Sequence, residues 1–283
     1  MWSPVVIIGA ARSGTNMLRD VLVRMPNVGT WPCDEINYIW RHGNVRHPSD
    51  VLTVDCAKPE VIAYIRRQFD KLASRRNFNF VVEKTCANSL RVDFVDRILP
   101  EAKYIYIVRD GRDVVASAMK RWKAELDFGY ILTKARYVPV SDIPYYGSRY
   151  LVNRIYRLFS KEKRLASWGP RLDGMTSILA THNLSEVCAI QWRECVNQSD
   201  NSFKGMSGNQ VHKLTYEAFV ADPEKELKRI CAFLGIPFPE ERRAEIIGRI
   251  SSGSVGKGHN DLGIQLKSVV PLMEETLKKH GYL

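Results

Sequence analysis

Apolar residues open the chain as a short continuous run, and a helical pattern follows it. Residues 4–9 read PVVIIG, a run rich in β-branched side chains that ends at Gly9. Such a run predicts a strand buried on both faces of a parallel sheet. Over residues 14–24 the apolar positions recur with helical spacing. The side chains that share this helical face are Met17, Leu18, Val21 and Leu22.

The alternation of strand and helix patterns continues through residue 122. Helical patterns cover residues 60–76, 88–98 and 110–122, and strand-like runs cover residues 78–82 and 103–108. Strands that alternate with helices predict an α/β fold, in which helices cover both faces of a central parallel sheet.

The second half of the chain has a different pattern. Residues 123–180 are rich in aromatic and basic side chains, and we interpret them as a cap or insertion over the sheet, with a helix across residues 148–166. Residues 251–263 form a glycine-rich loop, which suits a linker or a flap that closes over a ligand. The remaining predicted elements are a helix at 183–199, a strand at 211–216 and a helix at 223–234.

Length and charge narrow the class of protein. A chain of 283 residues can form one α/β domain or two small ones, and we expect a single domain over 1–283. The net charge of +11 indicates either a solvated basic surface or an anionic partner. Because the Lys and Arg residues are scattered, we expect no nucleic-acid partner. No stretch approaches the roughly 20 apolar residues of a membrane span, so we expect no membrane partner either.

The cysteines indicate the compartment. The six cysteines form no CxxC pair and have no zinc-finger spacing with histidine. We therefore expect reduced, buried thiols, no bound metal and a cytoplasmic location. The first residues also lack the basic region and long apolar stretch of a secretory signal.

The loop after the first predicted strand has the features of an anion site. Gly9 and Gly14 have the spacing of the Walker A glycines, GxxxxGK[ST], and a loop before a helix presents free backbone N–H groups to an anion. The Walker lysine is missing, because Thr15 directly follows Gly14. The cation lies inside the loop instead, at Arg12. A plain tight turn between strand and helix is the alternative interpretation.

A second candidate anion site follows the strand at 103–108. Arg109 lies at the carboxyl end of this strand, where ligands of parallel sheets collect, and a guanidinium can bind a phosphate with two N–H groups. Ser117 follows eight residues later, on the next helix. A surface ion pair between Arg109 and Asp110 is the alternative.

Together these segments resemble the superfamily of sulfotransferases that use 3'-phosphoadenosine 5'-phosphosulfate (PAPS), in its bacterial type. GAARSGTNML resembles the family's 5'-phosphosulfate loop, and VRDGRDVVASAM resembles its 3'-phosphate motif. Further matches are EKTCAN at 83–88, SWGPRLDG at 167–174 and the block KLTYEAFVADPEKELKRICAFLGIPF at 213–238. The resemblance extends from residue 5 to about residue 260 and implies a P-loop-like three-layer fold.

The resemblance also implies roles for single residues. The sulfuryl group of PAPS would pass to an acceptor, and adenosine 3',5'-bisphosphate (PAP) would leave. Arg109 and Ser117 would hold the 3'-phosphate. Lys84 would contact the bridging or sulfuryl oxygens, and Tyr216 would lie near the adenine. Lys257 and Gly258 would close over the 3'-phosphate. The residues around the 5'-phosphosulfate would be Arg12, Ser13, Gly14, Thr15 and Asn16.

The chain departs from the family at the expected base. Cytosolic members usually have Lys in the first loop and a His base after the Lys-Thr pair, where this chain has Arg12 and Cys86. Carbohydrate and protein-tyrosine members use a Glu after the first helix, and Glu35 is the matching candidate. Alternatives for the base are Asp34, His42 and His47. Glu35 could instead be a surface carboxylate, and Lys84 could simply pair with Glu83.

The acceptor is the least defined part of this hypothesis. We expect the acceptor to be a small molecule with a hydroxyl or amine. We expect the reaction to require no metal, and the chain could form a homodimer. A metabolite or nucleoside kinase with a P-loop, or a nucleotide-binding module without catalysis, remain alternatives. The aromatic residues that are candidate walls of the acceptor pocket, or plain core, are Trp31, Tyr38, Trp40, Trp122, Tyr145 and Tyr146.

Overall fold

Five parallel strands form the central sheet of the computed structural model, which describes residues 2–123, 134–148, 151–152, 167–248, 250–251 and 253–283. In chain order the strands are β1 (Ser3–Ile8), β2 (Val28–Gly29), β3 (Phe80–Glu83), β4 (Lys103–Val108) and β5 (Val211–Thr215). Their order in the sheet is β2-β3-β1-β4-β5. Strand β1 pairs with β3 on one side and with β4 on the other. This sheet confirms the predicted α/β class.

Helices connect the strands, as parallel pairing requires. Most predicted helices are present within a few residues, and the helix at Pro223–Leu234 has the predicted bounds. The helices are α1 (Thr15–Leu22), α2 (Asn37–Trp40), α3 (Pro59–Arg76), α4 (Val92–Ile98), α5 (Gly111–Trp122), α6 (Met175–Thr181), α7 (Leu184–Phe203), α8 (Tyr216–Ala221), α9 (Pro223–Leu234), α10 (Arg243–Ile247), α11 (Lys257–Leu262) and α12 (Leu266–Lys279). Residues 143–148 are also helical.

Both faces of the sheet are buried, which explains the continuous apolar run of β1. Side chains of a strand alternate between faces. Val5 and Ile7 pack in one core cluster with residues of α1, α8 and α9. Val6 and Ile8 pack in a second cluster with residues of α3, α4, α5, α7 and α12. The result is a three-layer arrangement of helices, sheet and helices.

Two predicted segments differ from the structure. Residues 251–263 do not form a loop throughout, because helix α11 begins at Lys257 after Gly256, whose φ of 74° is left-handed. The predicted helix 88–98 is divided: Cys86–Leu90 form a 3-10 turn and α4 starts only at Val92. The predicted helix at 148–166 lies largely outside the described residues. No helix in the described part of the chain is both long and apolar enough to cross a membrane.

Candidate active site

The loop between β1 and α1 adopts a conformation that few residues allow. Arg12 has a φ of 75° and Gly14 a φ of 87°, so both lie in the left-handed region. Ser13, between them, is completely buried. Its hydroxyl oxygen Oγ has no hydrogen-bond partner among the described residues. The N–H groups at the start of α1 face the same loop and, with the helix dipole, favour a bound anion.

Gly14 lies directly against an aromatic ring. A Cβ at this position would be 2.4 Å from Cδ2 of Tyr216, the first residue of α8. Tyr216 is buried, and its hydroxyl lies 2.8 Å from Oγ of Ser254. The Tyr216 ring therefore links the first loop to the segment that precedes α11.

Gly14→Ala should be more damaging than its matched control Gly174→Ala. Both glycines are left-handed and precede a helix, with φ of 87° and 65°, so each alanine costs about 1–2 kcal/mol of backbone strain. A Cβ at Gly174 would meet nothing within 4 Å, whereas a Cβ at Gly14 would displace the Tyr216 ring. We expect Gly14→Ala to lose more unfolding free energy in urea. We also expect it alone to weaken PAP binding. Equal losses in the two variants would contradict this account.

Arg109, at the end of β4, is the buried cation of the second candidate anion site. Its Nη1 donates to the Arg12 carbonyl at 3.3 Å, and its Nη2 donates to Asp113 at 3.1 Å and to the Ser254 carbonyl at 2.6 Å. The guanidinium also lies 4.3 Å from the centre of the Tyr216 ring. Its Nε is buried and has no hydrogen-bond partner among the described residues. Sequence reasoning offered an Arg109–Asp110 ion pair, but Asp110 pairs with Arg112.

Arg12 and Ser117, predicted to bind opposite ends of the same ligand, are in direct contact. Nε of Arg12 donates to Oγ of Ser117 at 2.9 Å. Burial lowers the pKa of Arg12, and the nearby positive charges of Arg121 and Arg109 lower it further. The two loops thus bring like charges together, an arrangement that a polyanionic ligand would stabilise.

The segment predicted to close over the 3'-phosphate is docked on α5. The buried carboxylate of Asp113 accepts from the Gly256 N–H at 2.9 Å and from the Gly258 N–H at 2.6 Å. A Cβ on Gly258 would lie 2.3 Å from the carbonyl carbon of Arg112, so only glycine fits here. Lys257 is exposed beside it. Sequence reasoning did not single out Asp113, which orders this segment.

Glu35 and Lys84 meet at the end of β3. Nζ of Lys84 donates to Oε1 of Glu35 at 3.1 Å, and the Cys86 N–H donates to the same oxygen at 3.3 Å. The Lys84 side chain is 2% exposed and that of Glu35 is 29% exposed. Burial raises the pKa of Glu35, but the charges of Lys84 and Lys134 outweigh it and lower the pKa to about 2. Lys84 therefore pairs with Glu35 and not with Glu83.

Cys86 connects this ion pair to the first loop. Its sulfur lies 3.8 Å from Oγ1 of Thr15, the first residue of α1, while its N–H binds Glu35. Burial raises the pKa of the Cys86 thiol to about 12, so the thiol stays protonated at neutral pH. Asn16 follows Thr15 as the second residue of α1 and is half-buried.

The other candidate bases have structural partners. Asp34 pairs with Arg19 at 3.2 Å. His42 lies 2.9 Å from Asp142 of the predicted cap and packs on the Tyr64 ring at 4.0 Å. The third candidate, His47, binds the Ser49 carbonyl through Nδ1 at 3.0 Å.

The aromatic candidates separate into two groups. Trp31, Trp40 and Trp122 belong to the buried core. Tyr38 packs edge to face on Tyr146 with ring centroids 4.6 Å apart, and Tyr145 lies 5.3 Å from Tyr146. Because Tyr38 is three residues after Glu35, this tyrosine cluster (Tyr38, Tyr145 and Tyr146) is the aromatic group nearest in sequence to the candidate base. Among the described residues no cluster of three or more His, Cys, Asp or Glu side chains could hold a metal ion.

The depressed pKa of Glu35 makes stability depend on pH. The carboxylate has a pKa of about 2 in the folded chain and about 4.3 when unfolded. The stabilisation is therefore complete above the unfolded pKa and is lost as the pH falls toward 2. We expect the difference in unfolding free energy between the natural chain and Glu35→Gln to be constant near neutrality and to shrink below about pH 4.3. Urea unfolding across this range measures it, and a pH-independent difference would refute the ion pair.

Comparison with known proteins places the chain in a family. The family described as "Sulfotransferase domain" matches residues 3–255. The chain belongs to this sulfotransferase family. Among curated proteins, none matches the sequence at a significant level.

Solved structures of other proteins have the same fold. STF9 from Mycobacterium avium aligns with a TM-score of 0.55 and 12% identity, over 98% of this chain and 76% of that chain. The sulfotransferase domain from the curacin biosynthetic pathway aligns with a TM-score of 0.52 and 15% identity, over 85% and 76%. Mouse SULT7A1, solved in complex with PAP, aligns with a TM-score of 0.52 and 16% identity, over 98% and 85%. At these identities the likeness shows the fold alone.

Proposed function

We propose that this sulfotransferase transfers the sulfuryl group of PAPS to a hydroxyl or amine of a small-molecule acceptor and releases PAP. One observation carries the proposal: Cys86 contacts both the Glu35 carboxylate, through its N–H, and Thr15 of the first loop, through its sulfur. A single residue, Cys86, therefore bridges the candidate base and the candidate donor-binding loop.

The described residues fit a donor with phosphate groups at both ends. Two buried polar atoms, Oγ of Ser13 and Nε of Arg109, lack hydrogen-bond partners among these residues, and a buried polar group normally has one. Arg12, Arg109 and Lys84 supply positive charge at the ends of three neighbouring strands. Thr15, Asn16 and the N–H groups of α1 would bind the 5' end, and Arg109 and Ser117 the 3'-phosphate.

The proposed chemistry is an in-line displacement at sulfur in which the protein supplies position and charge. Glu35 takes the proton of the acceptor. Its low pKa keeps it ionised at neutral pH but makes it a weak base, so the proton moves only as the acceptor atom bonds to sulfur and becomes acidic. Lys84, released from Glu35 by that proton transfer, and Arg12 stabilise the negative charge on the leaving oxygen. Tyr216 and the segment docked on Asp113 hold the nucleoside end of the donor.

The acceptor would lie between Glu35 and the tyrosine cluster. Tyrosine rings offer apolar faces and a polar edge, which suits a small organic molecule that carries one reactive hydroxyl or amine. The hydroxyl of Tyr146 is buried and has no hydrogen-bond partner among the described residues, so it is free to bind a polar group of the acceptor.

A turnover assay tests the reaction. The protein is incubated with PAPS and panels of phenols, alcohols and amines, with ATP and magnesium in parallel, and PAP release and sulfated product are measured together. We expect acceptor-dependent PAP release. PAP binding without any sulfated product across broad panels would favour the non-catalytic nucleotide-binding module instead.

A further inference from the structure

The segment that carries Glu35 is tied to the end of β3 by a buried hydrogen bond. The N–H of Ile36, next to Glu35, donates to Oγ1 of Thr85 at 3.2 Å. Thr85 in turn donates its hydroxyl to Oε1 of Glu83 at 2.5 Å. Thr85 is completely buried and Glu83 is 1% exposed. This first branch therefore fixes the main chain directly after Glu35.

A second branch leaves the same carboxylate and returns to the same segment. Oε2 of Glu83 accepts from Nδ2 of Asn88 at 2.8 Å, and Oδ1 of Asn88 accepts from Nε of Arg91 at 2.8 Å. Nη2 of Arg91 donates to Oδ1 of Asn37 at 2.6 Å. Both residues that follow Glu35, Ile36 and Asn37, are thus connected to Glu83.

The Glu83 carboxylate, from which both branches start, is almost completely buried. A buried carboxylate is expensive unless it is paired or hydrogen-bonded. Burial raises the pKa of Glu83 to about 6, although Thr85 and the charges of Lys84 and Arg91 lower it in part. Each oxygen of Glu83 accepts a hydrogen bond, one from Thr85 of the first branch and one from Asn88 of the second.

We infer that Glu83 and Thr85 are positioning residues, which hold the Glu35 carboxylate against Lys84 and Cys86. This inference rests on the proposed function, in which Glu35 is the base. Lys84 and Thr85 are consecutive in the chain. Thr85 binds the main chain after Glu35, and Lys84 binds the Glu35 carboxylate, so both contacts come from the same short segment. A displacement of about 1 Å at a reacting group can cost about a hundredfold in rate.

Thr85→Val and Thr85→Ser are a matched pair that tests the inference. Valine keeps the shape of threonine and removes the hydroxyl, whereas serine keeps the hydroxyl. We expect Thr85→Val to lower kcat about 10–100-fold with little change in acceptor KM or PAP affinity, and Thr85→Ser to retain most of the rate. Asn37→Ala, which breaks only the second branch, should lower kcat by less.

A second readout does not depend on turnover. The pKa of Glu35, followed by carbon NMR of its carboxyl group and assigned with Glu35→Gln, should rise from about 2 toward its ordinary value in Thr85→Val but not in Thr85→Ser. Thermal unfolding of each variant checks that it is folded. A Glu35 pKa and a kcat that are unchanged in Thr85→Val would overturn the inference. If the natural chain transfers no sulfuryl group, the proposed function fails, while the NMR titration still decides whether Thr85 positions Glu35.

Discussion

Replacing Glu35 with glutamine should lower kcat by about 10²–10⁴-fold, the usual contribution of a positioned general base. Glutamine keeps the size of the side chain and its contact with the Cys86 N–H but cannot take the acceptor proton. PAP affinity should change little, because the bisphosphate contacts are assigned to other residues. Steady-state kinetics with PAPS and an acceptor that the natural chain sulfates, together with PAP calorimetry, measure both quantities.

Asp34→Asn is the matched control for this prediction. Asp34 precedes Glu35 in the chain, and its carboxylate pairs with Arg19 and is 41% exposed. We expect its kcat to remain close to that of the natural chain. Because Glu35→Gln leaves the buried Lys84 without its anion, thermal unfolding must show that the variant is folded. Full activity in Glu35→Gln, or an equal loss in Asp34→Asn, would remove Glu35 as the base.

Replacing Arg109 with alanine should weaken PAP binding by about 10²–10³-fold, or about 3–4 kcal/mol. Arg109 is 6% exposed, and its buried Nε, which has no hydrogen-bond partner among the described residues, is a donor that we assign to the bisphosphate. Loss of the guanidinium also removes the support of the Ser254 carbonyl and of the Tyr216 ring. Arg109→Lys keeps the positive charge but loses the planar set of N–H donors. Its PAP affinity should lie between those of the alanine variant and the natural chain.

Arg66→Ala is the control for the general loss of positive charge. Arg66 forms an exposed ion pair with Glu101, with the two side chains 38% and 41% exposed. We expect its PAP affinity to equal that of the natural chain. A similar loss in Arg66→Ala would mean that net charge, and not the geometry at Arg109, binds the bisphosphate.

Most of the fold could be predicted from the sequence, because buried parallel strands have a strong local signal. The run at Lys103–Val108 forms a strand with the predicted bounds. Strand β2 could not be predicted, since it has only two residues and owes its pairing to β3. Helix α12 was also missed: Val269, Met273 and Leu277 share a buried face, but Pro271 interrupts the helical pattern in the sequence.

Candidate site residues could be proposed from the sequence where a single segment contains both the side chain and the loop or strand end that positions it. Arg12 stands in the loop after β1, Arg109 directly follows β4 and Ser117 lies within α5, and we predicted their roles from these local positions and from the family resemblance. Contacts across the chain gave no such signal: Lys84 and Glu35 are 49 residues apart, and Ser254 reaches Arg109 across 145 residues. The hydrogen bonds that connect Glu83 to the segment after Glu35 had one local sign in the sequence, which is a carboxylate, Glu83, at the end of an apolar strand.

The most direct test of the account is a calorimetric titration of PAP in the presence of a metal chelator, with ATP plus magnesium titrated in parallel. The account predicts that PAP binds tightly without metal and that ATP with magnesium binds far more weakly, because we propose Arg109 and Ser117 as the 3'-phosphate site and the Walker lysine is missing. Tight binding of ATP with magnesium and no binding of PAP would contradict the proposed function and would favour a kinase.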